Sequence, residues 1–311
     1  MVSIITPCFN LESYITQTYQ SLKRQTHAEW EWIVVDDEST DGTVDRIREF
    51  NDPRIKLILS KHYGNLSILR NLGAREASGD ILSFVDGDDI LMANKLQAQV
   101  DLFRKHPRMG WSHTNACTLI DETNALEPRK MPDPPGDELL AAEDAFSSLA
   151  RRNYIYISSV MVRRDVFFSI GGFKERLNRC EDIDLWLRLA AHGFDLGYCE
   201  EPLLQYRIRA SGLFNSKTLE YLKMNFVVYD DLRIEFPELS QKYQEVISRY
   251  RSDNYLKIGI QKLLQGKDNP RAEFDAAFAH HGTFKKFLWK LGVFVSKDMM
   301  RRYIRGRKHF N

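Results

Sequence analysis

The 311-residue chain is 43% hydrophobic and 12% aromatic, enough apolar side chain for a large core in one big domain or two modest ones. Lysine plus arginine (44) nearly cancels aspartate plus glutamate (43), so no global field marks a nucleic-acid binder or a generally membrane-seeking surface. Cys8, Cys117, Cys180 and Cys199 form no C-x-x-C pair, and their wide spacing fits reduced, packed thiols in a cytosolic protein better than a disulfide framework or a zinc site. The sequence opens on "VSIIT" with no basic leader, and its apolar stretches are cut by charge short of the ~20 residues a spanning helix needs, so neither secretion nor membrane spanning is expected.

In chain order, "VSIIT" (2–6), "EWIVVD" (31–36), "IKLIL" (55–59) and "ILSFVD" (81–86) are short apolar runs bounded by polar turns, as strands buried on both faces are. Helical patterns separate them: Tyr14, Thr18, Leu22 and Gln25 in the first, "TVDRIREF" after "STDG" in the second, "LSILRNLGAREA" in the third. This β-α alternation predicts an α/β domain with a mostly parallel, Rossmann-like sheet and flanking helices. Such sheets bind ligands outside the carboxyl ends of their strands. Thr6 and Pro7, Asp36 and Asp37, and Asp86 to Asp89 stand at those ends and are expected to converge on one crevice.

Crowded carboxylates repel one another unless a cation or a hydrogen-bonding ligand compensates. In "GDILSFVDGDDIL" (79–91) the aspartates suit magnesium or manganese, which take hard oxygen ligands. An EF-hand is excluded, because counting from Asp86 the sixth position is Leu91 and the twelfth Gln97. The plain alternative is a solvated turn with Asp89 capping a helix from about residue 91. In "IVVDDESTDGT", Ser39 to Asp41 read as a turn and helix cap, while a carboxylate at the strand end is placed to accept a pyrimidine N–H. In "RCEDIDLWLRLAAHG" (179–193), Leu185, Trp186 and Leu189 share a helical face, which makes Trp186 a core residue. Glu181 and Asp182 open that helix, as caps or as proton acceptors.

Taken in order, "VSIITPCFN", "VVDDESTDGT", "RNLGAREASGDILSFVDGDD" and "GGFKERLNRCEDIDLWLRLA" resemble the family 2 glycosyltransferases, with the nucleotide-diphospho-sugar transferase (GT-A) fold, over about residues 1 to 210. The resemblance implies an inverting, metal-dependent transfer of a sugar from a nucleotide-diphospho-sugar, UDP favoured, to an acceptor hydroxyl. It implies Asp88 as leading ligand of Mn2+ or Mg2+, Asp86 beside it on the ribose or a metal-bound water, and Gly87 as a place for close approach of the nucleotide. Pro7, Phe9 and Asn10 match a loop that packs on the base, Asp37 an acidic contact to uracil, and Arg70 an arginine touching the nucleotide. Asp182 matches the catalytic base, with Glu181 as runner-up or as the group orienting the acceptor. Tyr206 and Arg207 are followed by Ile208 and Arg209 where family members often carry a histidine, so Arg207 and Arg209 are read as diphosphate contacts and a third metal ligand there is in doubt.

The expected organisation is a GT-A domain over 1–215, with a nucleotide-binding half to residue 105 and an acceptor half from 106, and a helical region over 216–311. Residues 124–138 read as a lid, part of the acceptor pocket or a plain surface loop. Residues 284–310 read as an amphipathic helix for the inner face of a membrane, for the protein itself or for a second chain in a homodimer. A glycan or lipid-linked sugar is the expected acceptor, in surface polysaccharide synthesis. A sugar-nucleotide nucleotidyltransferase is the first alternative, although "TPCFNLESY" lacks the glycine- and lysine-rich loop such enzymes use, and a non-catalytic nucleotide- or sugar-binding module is the second.

Overall fold

The computed structural model describes residues 1–128, 138–209, 218–265 and 270–280. The first seven elements alternate as expected: β1 (Val2–Cys8), α1 (Ile15–Lys23), β2 (Trp30–Asp36), α2 (Thr43–Glu49), β3 (Ile55–Leu59), α3 (Leu66–Arg75) and β4 (Ile81–Phe84). All seven residues of β1 are buried, so apolar and β-branched side chains face helices on both sides of the sheet. The four strands lie parallel in the order β3-β2-β1-β4. Pro7 pairs opposite Val35 of β2, but β1 pairs with β4 only as far as Ile5, so the missing Pro7 N–H leaves no gap in that second ladder.

Beyond β4 come β5 (Ile90–Leu91), α4 (Lys95–Lys105), β6 (Trp111–Ile120), β7 (Ala125–Pro128), β8 (Leu139–Leu140), α5 (Ala142–Arg151), a 3-10 turn at Ile157–Ser159, β9 (Met161–Arg163), α6 (Arg164–Ser169), α7 (Glu181–Ala191) and β10 (Leu196–Ile208). Among the described residues these complete one sheet of order β3-β2-β1-β4-β9-β6-β10-β5, with β7 on β6 and β8 on β10. β9 runs antiparallel to both β4 and β6, while β10 is parallel to β6. The expected helix from residue 91 starts instead at Lys95. Ile90 and Leu91 form a short strand antiparallel to β10, a long-range pairing that overrides the local cap signal at Asp89. Residues 125–128 of the expected loop are strand β7, and 129–137 lie outside the described residues.

α1 and β10 hold the turn between β4 and α4. The Thr18 hydroxyl donates to the carbonyls of Gly87 and Asp89, both at 2.9 Å, and the Gln25 amide donates to Met92 O at 2.9 Å. The polar members of the α1 repeat are therefore clamps, not a wet face. α7 is fixed by a buried ion cluster: Asp184 meets Arg188 at 2.7 Å and Lys174 at 3.1 Å, and the Arg188 guanidinium donates to Ile170 O and Gly172 O at 2.8 and 2.7 Å. Gly172 sits at φ 65°, and a Cβ there would lie 2.9 Å from Asn71 Oδ1. Only glycine lets the 170–174 segment come this close to α3. Trp186 is fully buried and stacks on Trp111 at 5.3 Å, the core role its helical position predicts.

Two compact units are present, one of residues 1–149 and 153–215, the other of 150–152 with the helices from residue 216 onward. The second unit contains α8 (Thr218–Glu235), α9 (Pro237–Lys242), α10 (Gln244–Gln265) and α11 (Arg271–His280). α10 and α11 are antiparallel, since Ser252 bonds to Ala277 O while Lys262 pairs with Glu273 at 2.8 Å. The amphipathic segment 284–310 lies outside the described residues. No helix among the described residues is long and apolar enough to cross a membrane.

Candidate active site

Three strand ends meet in one place. Cys8 closes β1, Asp36 closes β2, and the 86–89 turn follows β4. Burial, then the charges of Asp36, Asp88, Asp86 and Asp41, push the Cys8 thiol well above its usual range, an electrostatic record of that convergence. Asp37 joins through its backbone N–H, which donates to Cys8 O at 2.8 Å.

The Asp37 carboxylate accepts the amides of Tyr63 and Gly64 at 2.7 and 2.9 Å and meets His62 Nδ1 at 3.0 Å. These three contacts from the 62–64 turn fix the Asp37 carboxylate, which is buried. Phe9, 46% exposed, packs on the His62 ring at 4.7 Å. Together they form an open aromatic edge beside Asp37, of the kind that stacks on a planar base. The sequence reading missed His62, for which no spacing signal exists. Asp36 faces inward: its Oδ2 accepts Ser39 N at 2.9 Å, and its buried Oδ1 has no hydrogen-bond partner among the described residues.

Four of the residues expected at the nucleotide have protein neighbours of their own. The Thr6 hydroxyl is fully buried and accepts Trp32 Nε1–H at 2.8 Å, because in a strand covered on both faces its side chain points into the helix layer. Pro7 is likewise buried in the strand. A Cβ on Gly87 would stand 2.7 Å from Leu11 Cδ1 and 3.3 Å from Cys8 Sγ, so the glycine faces the packed layer under α1. Asn10, exposed at φ 53°, accepts Thr40 N at 2.8 Å and shapes the loop.

Arg70 forms a buried ion-pair bridge. Only 1% exposed, it donates Nη2 to Asp86 Oδ1 at 2.8 Å and Nη1 to Glu181 Oε1 at 2.7 Å. Burial disfavours the guanidinium charge, and the two carboxylates more than offset it. One buried cation thus ties the D-x-D turn to the start of α7, bringing together motifs that are far apart in sequence.

Arg207 is also structural. Its backbone N–H donates to Asp89 Oδ1 at 2.8 Å, Nε to Asp88 O at 2.8 Å, Nη1 to Asp121 at 2.8 Å and Nη2 to Gln17 at 2.6 Å. Every guanidinium nitrogen is engaged, so Arg207 positions the aspartate turn. Arg209 does face the site, pairing with Asp88 Oδ2 at 2.8 Å.

The donor set of the turn suits a hard divalent cation. Burial, then Asp86, raise the Asp88 pKa to about 6 despite Arg209, and burial with Asp88 and Asp86 raises Asp89 as well. This cluster remains under-compensated. Among the described residues no group of three or more His, Cys, Asp or Glu could hold a metal. Asp88 and Asp86 therefore offer the one or two carboxylates that suffice where phosphate and water complete the shell.

At the other wall, α7 begins at Glu181 after Cys180, a non-glycine residue at φ 59°. Left-handed backbone in such a residue costs about 1–3 kcal/mol, and here it aims the acid pair. Asp182, partly exposed, accepts Asn153 Nδ2 at 2.8 Å and its oxygen also takes the Ile183 amide at 2.7 Å. Burial, then Glu181, lift its pKa to about 6. It stays ionised at neutral pH yet holds a proton better than an ordinary aspartate. Glu181 is committed to Arg70.

A mixed, mostly parallel sheet with a carboxylate turn at its strand ends, tied to an acid pair on a helix N-terminus, fits a nucleotide-sugar-using transferase of the GT-A class. Residues 3–125 match Glycosyl transferase family 2. The chain is 30% identical to the putative glycosyltransferase EpsE of Bacillus subtilis over 71% of its own length and 77% of that protein. It is 29% identical to Escherichia coli WfgD, a UDP-Glc:alpha-D-GlcNAc-diphosphoundecaprenol beta-1,3-glucosyltransferase, over 84% and 94% of the two chains. The fold is shared with Staphylococcus aureus TarS 1-349 in complex with UDP-GlcNAc, at TM-score 0.70 and 16% identity over 100% of this chain and 93% of that one. It is also shared with the Pyrobaculum calidifontis mannosyltransferase PcManGT in complex with GDP-Man and Mn2+, at TM-score 0.63 and 14% identity over 97% and 87%. The chain belongs to glycosyltransferase family 2 and is a glycosyltransferase.

Proposed function

We propose that this enzyme transfers a hexose, with inversion, from a UDP-sugar to a hydroxyl of a lipid-linked sugar during synthesis of a surface polysaccharide. The observation that supports this reading is the Arg70 bridge, which ties Asp86 of the aspartate turn to Glu181 at the start of the helix that carries Asp182. The uracil ring stacks on the Phe9–His62 edge, with its N–H toward Asp37. Asp88, with Asp86, would hold Mn2+ or Mg2+, which would supply positive charge against the diphosphate leaving group. Asp182 takes the proton from the acceptor hydroxyl as that oxygen attacks the anomeric carbon, and the bond to the nucleoside diphosphate breaks in the same displacement. A single attack inverts configuration. The UDP donor and lipid-linked acceptor are supported by what WfgD acts on and by the UDP-sugar complex of TarS.

Incubation of the full chain with UDP-glucose, Mn2+ and a GlcNAc-diphospholipid tests this. The expected result is one glucose added per UDP released, with the β-linked product from the α-linked donor. Release of pyrophosphate, or binding of UDP-sugar with neither transfer nor hydrolysis across a panel of UDP-hexoses, would overturn it.

A further inference from the structure

We propose that Asn153 is a positioning residue for Asp182: one side-chain N–H, donated from a segment outside α7, fixes how that carboxylate is turned and favours its charged form. The inference rests on the reading of Asp182 as proton acceptor and deepens it by naming the group that prepares the acceptor for its task.

Asn153 is held so that the nitrogen end of its amide faces α7. Its Oδ1 accepts the Ile155 N–H at 3.2 Å, which leaves Nδ2 to donate to Asp182 Oδ2 at 2.8 Å. The segment that carries it is packed and internally bonded: Tyr154 and Ile155 are buried, and the Ser159 N–H and hydroxyl both donate to Tyr156 O, at 3.0 and 2.6 Å. The Tyr156 ring stacks on Tyr206 of β10 at 4.0 Å, 6° from parallel. At the far end of the segment the fully buried Ser158 accepts the Asp86 N–H at 3.0 Å. Residues 153–158 therefore touch the aspartate turn at one end and Asp182 at the other, a second tie beside the Arg70 bridge. The Ile183 amide that also serves Asp182 lies in α7 and moves with it. The Asn153 donor comes from another element, so it fixes the carboxylate relative to the aspartate turn and not merely to its own helix.

A neutral donor suits this place. Burial and Glu181 raise the Asp182 pKa, the Ile183 amide, Asn153 and Arg70 oppose them, and the balance falls at about 6. The charged groups set against Asp182 are thus Glu181 in α7 and Arg70 from α3, while the adjoining Cys180 thiol is pushed up by burial and then by Asp182 and stays neutral. A cation in place of Asn153 would pair with the carboxylate and leave it a poor proton acceptor. With no donor there, burial and Glu181 would carry it toward protonation at neutral pH. An amide lies between these extremes.

The test is the pH profile of kcat for the full chain with UDP-glucose, Mn2+ and a GlcNAc-diphospholipid all saturating, measured for wild type, Asp182→Asn, Asn153→Ala and Asn153→Asp. Saturating metal keeps Asp88, whose pKa is also raised to about 6, ionised and out of the profile. Asn153→Ala should move the acid limb up from around pH 6 by about one unit, the scale of one lost hydrogen bond to a charged group. Asn153→Asp keeps the size of the side chain and an oxygen for the Ile155 amide but sets a like charge against Asp182, so its limb should lie higher still. It carries the test if the alanine variant does not fold. A limb at the wild-type position in either variant, with Asp182→Asn lacking the limb, would show that the Asn153 contact only builds its loop, and the assignment of the base would stand. A limb retained in Asp182→Asn, or a wild type that neither transfers from nor hydrolyses UDP-glucose at any pH, would end the reading of Asp182 as base and this inference with it.

Discussion

Asp182→Asn is expected to lower kcat by about 10²- to 10⁴-fold, the range for a lost general base, while changing the affinity for UDP with Mn2+ by no more than a few-fold. The substitution keeps the size of the side chain and an oxygen for the Asn153 or Ile183 donor, so what it removes is the proton acceptor. Two pH measurements separate this from a structural effect. Wild-type kcat should fall on the acid side around pH 6, where Asp182 takes up a proton, and the residual rate of the variant should lack that limb. Stability should move the opposite way. A carboxyl whose folded pKa is raised penalises folding when ionised, and the penalty is relieved as pH falls through about 6 toward its unfolded value. Wild type should therefore gain stability relative to Asp182→Asn between pH 7 and pH 4 in denaturant titrations. Glu181→Gln provides the contrast, because that carboxylate serves Arg70. If Glu181→Gln loses turnover as deeply as Asp182→Asn and shifts the acid limb, the assignment of the base is reversed.

Arg70→Met should cost about 3–5 kcal/mol of stability, the scale for breaking a buried ion pair by removing one partner. For a domain of this size that is a fall in Tm of roughly 6–20 °C. The methionine fills much of the volume but leaves Asp86 and Glu181 facing each other without compensation. Adding Glu181→Gln to Arg70→Met removes one stranded charge and should recover part of the loss, a non-additivity that reports direct contact. Transfer should be abolished in both, since the two walls of the crevice lose their common anchor. An Arg70→Met protein within 1 kcal/mol of wild type by denaturant titration would mean that the bridge does not hold the site together.

The β3-β2-β1-β4 part of the sheet is legible in the sequence because each β-branched run is short, bounded by turns and largely covered on both faces, and because helix-period segments fill the gaps. "IKLIL" is a strand with the bounds its pattern suggests. The acidic turn and the "ED" pair are legible as clusters whose charge demands a partner. What local pattern cannot carry is the direction of a side chain in a strand covered on both sides, which is why Thr6 reads as a crevice residue and turns out to bond Trp32. Nor can it carry pairings across the chain. Arg70 reaches Glu181, and Arg207 reaches Gln17 and Asp88, by contacts that exist only once the sheet is assembled. Asp89 is the sharpest case. As a sequence it caps a helix; in the fold it accepts the Arg207 amide, because a two-residue strand claims the positions after it.

The most direct measurement of the central claim, that the strand-end carboxylates are compensated by a cation and a diphosphate together, is calorimetric UDP binding to wild type and Asp88→Asn, each with Mn2+ and with EDTA. UDP should bind wild type at least tenfold more tightly with Mn2+ than with EDTA, and Asp88→Asn should lose that difference. Equal UDP affinity in all four conditions would contradict it, for the aspartate turn would then be doing nothing for the nucleotide.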